Sequence, residues 1–350
     1  MTEGKTKRQF FGSRILACVA VLGVVAGLAG GAQAQSLVQP NDAALIAAAK
    51  ADGSLTLYGS SSVAAIKADA EGFEKAYGIP VTYQQLTSAP LTARVDQEIR
   101  AGRALADVII SADGAALNRW VAEGHAAKLP EMSFPRKTDH LAPIQIVFQG
   151  LHYNTSMIAP NDVPKDWKDV LDHKYAGKIV LGTPRIAPGF STLYYALWKD
   201  PRYGEPFFEK LAALKARVVQ TNVLVAQSVA SGEAAIGFTG LPYDAVNIRT
   251  SNPGAPINYA YLNLVTMAST YVMVNAKAQK PNAARLFAAW MMSPSGQAAH
   301  NGDNRASSLL GDLPGTLATA PMDRVLTSLD AETVSKEYQA LIAMFDRLFK

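Results

Sequence analysis

Short apolar runs alternate along the chain with stretches of helical spacing. Residues 55–58 form one such run and predict a strand. A helix is predicted after it, because apolar residues recur at i, i+4, i+7 and i+11 on one face. These residues are Ile66, Ala70, Phe73 and Tyr77. Gly78 is predicted to end this helix, since glycine readily takes the left-handed conformation of a helix terminus.

The same alternation continues to residue 121. Strands are predicted at 81–86 and 107–110, and a helix follows each of them. The apolar faces of the two helices comprise Leu91, Val95 and Ile99, and then Leu117, Trp120 and Val121. This β-α-β-α-β order predicts a mostly parallel sheet with helices on both faces.

A second unit of the same kind begins near residue 179. We predict its strands at 179–181, 218–219 and 235–238, with helices between them. Extended segments at 144–148 and 271–274 are predicted to cross between the two units. The expected fold class is therefore α/β, with two lobes, two hinge crossings and a cleft between the lobes.

The crossings set the expected domain boundaries. Lobe 1 takes residues 35–144, lobe 2 takes 145–267, and 268–350 returns to lobe 1 and adds C-terminal helices. A tail helix is predicted from Asp330, because its apolar residues share one face. These residues are Val334, Tyr338, Leu341, Phe345 and Leu348.

Residues 1–34 have the three parts of a secretory signal peptide. Lys5, Lys7, Arg8 and Arg14 precede an apolar stretch, and residues 32–34 form a small-x-small cleavage site. Residues 6–11 faintly resemble a twin-arginine signal with Lys in place of the first Arg, but we expect the Sec route. The sequence thus predicts export to the periplasm and cleavage after residue 34.

Removing this segment changes the charge and the cysteine content. The whole chain has 33 basic and 29 acidic residues and a net charge of +4. The segment holds four of the basic residues and one of the acidic ones, so the rest of the chain has a net charge of +1. It also holds the one cysteine, Cys18. A nucleic-acid partner is therefore not expected, nor is a disulfide framework.

Sequence motifs for catalysis or metal binding are missing after residue 34. No G-x-S-x-G, H-E-x-x-H, Walker A or G-x-G-x-x-G motif occurs there. No nucleophile–base arrangement is recognisable, and no cofactor is expected. Five dispersed histidines are interpreted as loop or surface residues. They are His125, His140, His152, His173 and His300.

Hydroxyl-bearing residues recur where helices begin after the predicted strands. They are Ser60, Ser61, Ser62, Thr87, Ser88, Ser111, Ser191 and Thr192, and Thr221 with the polar Asn222 begins one more helix. Plain N-capping accounts for any one of them. Together they also suit anion binding, because ligands of open α/β sheets lie beyond the carboxyl ends of the strands, where helix N-termini attract negative charge.

Arg185 follows the predicted strand at 179–181 and has two interpretations. Its planar guanidinium suits a carboxylate or a phosphonate, so it is a candidate clamp for the anion. The alternative is a surface ion pair.

Several stretches together resemble periplasmic solute-binding proteins of ABC importers. They lie at 55–58, 102–108, 167–171, 175–179 and 228–236, and the resemblance covers about residues 54–310. It points to the two-lobed group that includes ferric-iron-binding proteins. It implies hinge-bending lobes that close on a solute and deliver it to a permease in the inner membrane.

The chain departs from the ferric members of that group at the positions of their metal ligands. Ser62 stands where they have a histidine and Ala112 where they have a glutamate, while Tyr243 alone represents their tyrosine pair. Ferric iron favours anionic oxygen ligands, so iron is the second hypothesis. In that case Tyr194 and Tyr195 would join Tyr243 as ligands.

The sequence therefore predicts a monomeric periplasmic receptor for a small anionic organic solute. A phosphonate, a phosphate ester and a carboxylate all remain open. Tyr243 joins Arg185 and the helix-start hydroxyls as an expected contact. An exported enzyme on the same scaffold is the alternative of another class.

Overall fold

The structure is a computed structural model that describes residues 40–186, 188–327, 329 and 331–349. The predicted signal peptide at 1–34 and the first residue of the predicted tail helix, Asp330, lie outside these residues.

The described strands form one nine-stranded sheet. Their order is β2-β1-β3-β9-β4-β7-β5-β6, and β8 pairs with β4 on the side opposite β7. The strands are β1 Leu55–Gly59, β2 Val81–Gln85, β3 Val108–Ser111, β4 Ala142–Asn154, β5 Ile179–Gly182, β6 Arg217–Val219, β7 Ile236–Gly240, β8 Ile257–Ala260 and β9 Thr266–Val274. The pairs β1–β2, β1–β3, β5–β6 and β5–β7 are parallel, so each predicted unit keeps its own parallel strands.

Two long antiparallel strands, β4 and β9, join the two halves of the sheet. Tyr271 of β9 lies opposite both Ser111, the last residue of β3, and Pro143 of β4. Farther along β4, Gly150 lies opposite Gly240, the last residue of β7. The stretch between these points, Gln145 to Gln149 paired with Thr270 to Thr266, is called the crossing ribbon here. It runs from the carboxyl end of β3 to the carboxyl end of β7. The predicted crossing at 144–148 is confirmed, whereas β9 crosses at 266–270, and the residues predicted for that crossing, 271–274, pair with β3 in the first half.

Helices cover both halves of the sheet. They are α1 Ala43–Asp52, α2 Val63–Tyr77, α3 Ser88–Arg100, α4 Gly114–Ala122, α5 Thr192–Lys199, α6 Gly204–Ala213, α7 Asn222–Ala230, α8 Pro242–Ser251, α9 Pro281–Met291, α10 Pro294–Asn301 and α11 Ala331–Leu348. Gly78 ends α2 at a φ of 70°, as predicted. The expected α/β class is confirmed, whereas α1, α8, α9 and α10 were not among the predicted elements.

Each half has its own aromatic core. In the first half, Phe73 of α2 packs on Phe287 and Trp290 of α9, with ring centroids 5.0 and 5.8 Å away. In the second half, Tyr194 of α5 and Phe208 of α6 meet Phe345 of α11, at 4.7 and 5.5 Å from its ring. Both cores therefore include helices from the last quarter of the chain.

The tail helix α11 docks with its predicted apolar face inward. Val334, Leu341 and Phe345 are buried in the core of the second half, and Tyr338 and Leu348 pack against it. The backbone departs from helical geometry at Glu337, inside α11. The prediction of an amphipathic tail helix is thus confirmed over the residues that the structure describes. The predicted domain boundaries stay a prediction.

None of the described helices combines the length and the apolar character that crossing a membrane requires.

We predict that Phe345→Ala lowers the free energy of unfolding by about 3–5 kcal/mol, because it leaves a cavity between two aromatic rings. Urea unfolding followed by tryptophan fluorescence measures this. Leu348→Ala on the same helix is the control, with a smaller loss expected because Leu348 is only half-buried. Equal losses for both variants would show that α11 does not dock through Phe345.

Candidate functional site

Three loops meet at the carboxyl ends of the parallel strands in the first half of the sheet. The Ser60 hydroxyl, after β1, accepts a hydrogen bond of 3.2 Å from the amide of Ala112, after β3. The side-chain amide of Gln85, at the end of β2, donates to the carbonyl of Ser61 at 3.1 Å. The structure therefore brings Ser60, Ser61 and the turn after Ser111 to one edge, as the strand order predicted.

The loops of the second half meet in the same way. The Ser191 hydroxyl, which precedes α5, donates to the carbonyl of Pro184 at 2.7 Å. Asn222, the first residue of α7, accepts from the Thr239 hydroxyl near the end of β7 at 3.3 Å. Thr183, after β5, is buried and accepts from the amide of Arg185 at 3.2 Å. These contacts make a second polar edge, on the other side of the crossing ribbon.

Gln149 of the crossing ribbon fixes the start of α5. Its side chain is fully buried. Its carbonyl oxygen lies 3.1 Å from the amide of Leu193, 3.1 Å from the Thr192 hydroxyl and 3.2 Å from the Thr266 hydroxyl. Its NH2 group donates to the carbonyl of Gly189 at 2.9 Å. One carboxamide thus connects β4, β9 and the loop that leads into α5.

The predicted hydroxyls divide into accessible and buried groups. The accessible residues are Ser60, Ser62, Thr87 and Ser88, which are exposed or half-buried. The buried residues are Ser61, Ser111, Ser191 and Thr192. The Ser111 hydroxyl accepts from the amide of Asp113 at 3.1 Å, which is a local turn contact. The buried hydroxyls therefore shape the loops.

N-capping explains some helix starts and not others. The Ser62 side chain caps α2 by accepting from the amide of Ala65 at 3.2 Å. The Thr87 side chain makes no such bond to α3, and Leu241, at the start of α8, has no side chain that could cap that helix. The first amides of α3 and α8 therefore have no N-cap side chain as a partner. N-capping alone does not explain the residues at these two helix starts.

Arg185 already has a partner. Its guanidinium lies 2.5 Å from the carboxylate of Asp346 on α11, and both side chains are more than half exposed. Of the two interpretations of Arg185, the structure contains the surface ion pair. The guanidinium would have to leave Asp346 in order to clamp a solute.

The adjacent tyrosines of α5 both have hydrogen-bond partners in the second half. Tyr194 is buried in the core and donates to the carbonyl of Gly182 at 2.8 Å, and burial raises the pKa of its phenol far above the usual range. Tyr195 donates to Glu337 of α11 at 2.9 Å. Both phenol groups would have to leave these partners in order to join Tyr243 at an iron atom.

Tyr243 lies in the first turn of α8, just beyond the carboxyl end of β7. It is half-buried, and burial, together with the adjacent Asp244, raises the pKa of its phenol well above the usual range. It is therefore a neutral hydroxyl group at the second edge. Within residues 40–349, as far as they are described, no group of three or more His, Cys, Asp or Glu side chains is suited to hold a metal ion.

The interpretation of all five histidines as loop or surface residues is wrong for two of them. His152 on β4 and His300 on α10 are fully buried. Sequence spacing could not reveal this, because their partners are distant in the chain. Gln149 and Thr239 were missed as site residues for the same reason, while Asn222 was expected only as part of a helix start. The one available signal was a polar residue directly after a predicted strand or crossing, since Gln149 follows 144–148 and Thr239 follows 235–238.

Two buried ionisable groups lie beside the second edge. Burial raises the pKa of Asp244 to about 7, and its Oδ2 has no hydrogen-bond partner among the described residues. Burial lowers the pKa of His152 to about 4, although its Nε2 lies 2.9 Å from the carbonyl of Leu241. Burial therefore disfavours the charged form of both groups, so that His152 is neutral at pH 7 while Asp244 titrates near that pH.

Comparison with known proteins identifies relatives at the level of family and fold. A model of the family described as bacterial extracellular solute-binding protein matches residues 54–298. No curated protein matches the sequence. Many solved structures share the fold.

Three of these solved structures serve as examples. Iron-bound HitA from Pseudomonas aeruginosa has 21% identity and a TM-score of 0.64, over 84% of this chain and 98% of its own. AfuA from Actinobacillus pleuropneumoniae, with bound fructose-6-phosphate, has 20% identity and a TM-score of 0.58, over 85% and 98%. The substrate-binding protein of an ABC transporter from Agrobacterium tumefaciens has 15% identity and a TM-score of 0.63, over 83% and 95%.

We predict that Gln149→Leu lowers the free energy of unfolding by about 2–4 kcal/mol, because it leaves several buried donors and acceptors without partners. Chemical denaturation measures the loss. Gln145→Leu is the matched control on the same strand, since Gln145 is half-buried and accepts from a single hydroxyl, that of Thr270, at 2.9 Å. A loss for Gln149→Leu no larger than that for Gln145→Leu would contradict the role given to Gln149.

We predict that Asp244→Asn raises the free energy of unfolding at pH 8 and leaves it nearly unchanged at pH 4. A carboxyl whose pKa rises on folding binds more protons in the folded state, so stability falls as the pH rises from 3.8, its usual value, to about 7. The variant lacks this loss. Chemical denaturation at several pH values between 4 and 8 measures the free energy of unfolding of wild type and variant. The control is Asp162→Asn, at an exposed position.

His152 contributes the opposite slope between pH 6.5 and about 4, because a base with a lowered pKa loses stability as the pH falls. Wild type and both variants share this contribution, so it cancels in the difference. Parallel pH profiles for wild type and Asp244→Asn would contradict the prediction.

Proposed function

The chain belongs to the bacterial extracellular solute-binding proteins, and on that premise we propose that it captures a small organic anion between the two halves of its sheet. The family expected from the sequence is confirmed, and the chain is a substrate-binding component of an ABC transporter. We place the solute among phosphonates, phosphate esters and carboxylates.

The observation that carries the proposal is that the helix starts of α3 and α8 have no N-cap side-chain hydrogen bond, whereas the Leu193 amide of α5 is bonded to Gln149. Helix α3 begins at the first edge and α8 at the second, and each follows the carboxyl end of a strand. The positive end of the helix dipole favours an anion at such a place. At α8 the dipole supplies most of this effect, because Pro242 has no N–H group and the Asp244 amide donates to the carbonyl of Leu241 at 3.0 Å. Since the remainder after residue 34 has a net charge of only +1, local dipoles have to supply the attraction.

Accessible hydroxyls complete the proposed contacts. Ser60, Ser62, Thr87 and Ser88 serve the solute from the first half, and Tyr243 serves it from the second. Ser61, Ser111, Ser191 and Thr192 hold the loops in place. We leave Arg185 out of the contacts because Asp346 occupies its guanidinium. Closure about β4 and β9 would follow from tighter binding of the solute to the closed form.

The ferric alternative has less support in this chain than an organic anion has. Iron-bound HitA shares the fold, but Tyr194 and Tyr195 here bond to Gly182 and Glu337. Tyr243 alone does not supply the anionic oxygens that ferric iron favours. AfuA with fructose-6-phosphate is an example of a phosphate ester bound by a protein of this fold.

The cellular setting follows from the family and from the sequence. We propose that residues 1–34 direct export and are cleaved, that the protein acts as a monomer in the periplasm, and that an inner-membrane ABC permease receives the solute. We propose neither a cofactor nor a nucleic-acid partner.

We predict that native mass spectrometry of freshly purified protein detects an organic ligand that is lost on denaturation. Competition with fructose-6-phosphate, inorganic phosphate and ferric citrate, followed by thermal unfolding, assigns its class. A rise in melting temperature with an organic phosphate or a carboxylate supports the proposal. Binding of iron from ferric citrate, with the colour of a tyrosine–iron complex, would overturn it in favour of the ferric alternative.

Two variants sharpen this experiment. Thr87→Ala should weaken binding of the captured solute about threefold to tenfold, as expected for one lost hydrogen bond. Arg185→Ala should leave the affinity unchanged and cost less than about 1 kcal/mol of stability, because it removes only an exposed ion pair. A large loss of affinity for Arg185→Ala would restore Arg185 as the clamp.

A further inference from the structure

A buried chain of hydrogen bonds links a serine, a histidine and an aspartate beside the first edge. The Ser61 hydroxyl lies 3.3 Å from Nε2 of His300, and Nδ1 of the same ring lies 2.8 Å from Oδ2 of Asp69. His300 and Asp69 are fully buried, and Ser61 keeps 9% of its surface exposed. No sequence motif marks this arrangement, because the three residues belong to the β1–α2 loop, α10 and α2.

The partners fix the direction of each hydrogen bond when the imidazole is neutral. A carboxylate can only accept, so Nδ1 of His300 carries the proton and donates to Asp69. Nε2 then has the free lone pair, and the Ser61 hydroxyl donates to it. This is the order of nucleophile, base and orienting carboxylate found in serine hydrolases, which is recognised by geometry and not by chain order.

Asp69 has no other strong partner for its charge. Its second oxygen, Oδ1, is buried without a hydrogen-bond partner among the described residues. The carboxylate is therefore directed at His300, where it stabilises the imidazolium that forms when Nε2 takes a proton.

Ser61 also stands at a place that suits a developing negative charge. It follows the carboxyl end of β1 and immediately precedes Ser62, the N-cap of the 15-residue helix α2. The first amides of a helix have no carbonyl partner within it, and its dipole is positive at that end. An oxyanion formed at Ser61 would be stabilised by these groups.

We propose that Ser61 is an activated nucleophile that takes the acyl group of a small carboxylic ester. The Ser61 hydroxyl proton passes to Nε2 of His300 as the bond between Oγ and the carbonyl carbon forms. The bond from that carbon to the leaving oxygen then breaks, and the alcohol leaves with the proton from Nε2. The products are an acylated Ser61 and a free alcohol.

The burial of His300 limits the second half of such a reaction. Both the leaving alcohol and the water that would release the acyl group have to approach Nε2, and a ring with no exposed surface hinders both of them. An ester whose leaving group needs no proton, such as one of p-nitrophenol, therefore acylates Ser61 more readily than water removes the acyl group. The acylated serine accumulates, and turnover is slow. This activity is independent of the proposed solute, so native mass spectrometry of the captured ligand and the covalent test below can succeed or fail separately.

The competing explanation is structural: the chain of bonds would only fasten α10 to α2. The two explanations differ in the reactivity of Ser61. We would treat the full-length protein with p-nitrophenyl acetate and, separately, with a fluorophosphonate probe. Release of p-nitrophenolate, intact mass and peptide mapping are the three readouts.

The expected result is a burst of one equivalent of p-nitrophenolate with one acetyl group on Ser61, and one phosphonyl group on Ser61 with the second probe. Ser61→Ala should abolish both. His300→Gln and Asp69→Asn should slow labelling, by about 100-fold or more for the former, since general-base catalysis contributes at least that factor. Ser251→Ala, an exposed serine on α8, is the control and should label like wild type.

Ser61→Ala removes a single oxygen, so it tests the proposal even if the variants of His300 or Asp69 fail to fold, which circular dichroism reports. The proposal is overturned if wild type gains no adduct, if the adduct maps to another residue, or if folded His300→Gln labels at the rate of wild type.

Discussion

One carboxamide holds together the parts of the molecule on which the candidate site depends. Gln149 lies within the strand that crosses between the halves of the sheet, and its polar atoms are shared among β4, β9 and the first turn of α5. A buried amide has to satisfy both its donors and its acceptor, so its partners have little freedom to move independently. The second edge is thereby fixed relative to the crossing ribbon, about which any closure would occur.

Most of the fold could be predicted because local pattern and tertiary structure agree in the β-α-β units. The strands β1, β3, β5 and β7 are short buried runs rich in apolar residues, and the helices α2, α3 and α4 have clear apolar faces. Helix α9 was missed although its sequence carries the helical pattern. Eight of its eleven residues are buried, and the exposed Pro281 and Arg285 lie four residues apart on one face.

The candidate site could be predicted only in part, because residue type shows what a side chain can do and not which partner it has. The hydroxyls at the helix starts do lie at the carboxyl ends of the strands. Arg185 had two possible partners in the sequence, and the choice depended on Asp346, which lies 161 residues away. The bond between Ser61 and His300 spans 239 residues, so spacing along the chain contains no trace of it.

Because the last helices belong to both cores, the order of synthesis limits when each half of the protein can fold. The first half needs α9 and α10 for its core, and the second half needs α11, which ends at Leu348. A nascent chain emerging from the ribosome lacks these segments until residues 281–348 have been made, so neither half can close its core before then. Contacts this distant in sequence also slow the search for the native state. Under the export route proposed above, this delay would keep the chain unfolded for its passage across the membrane.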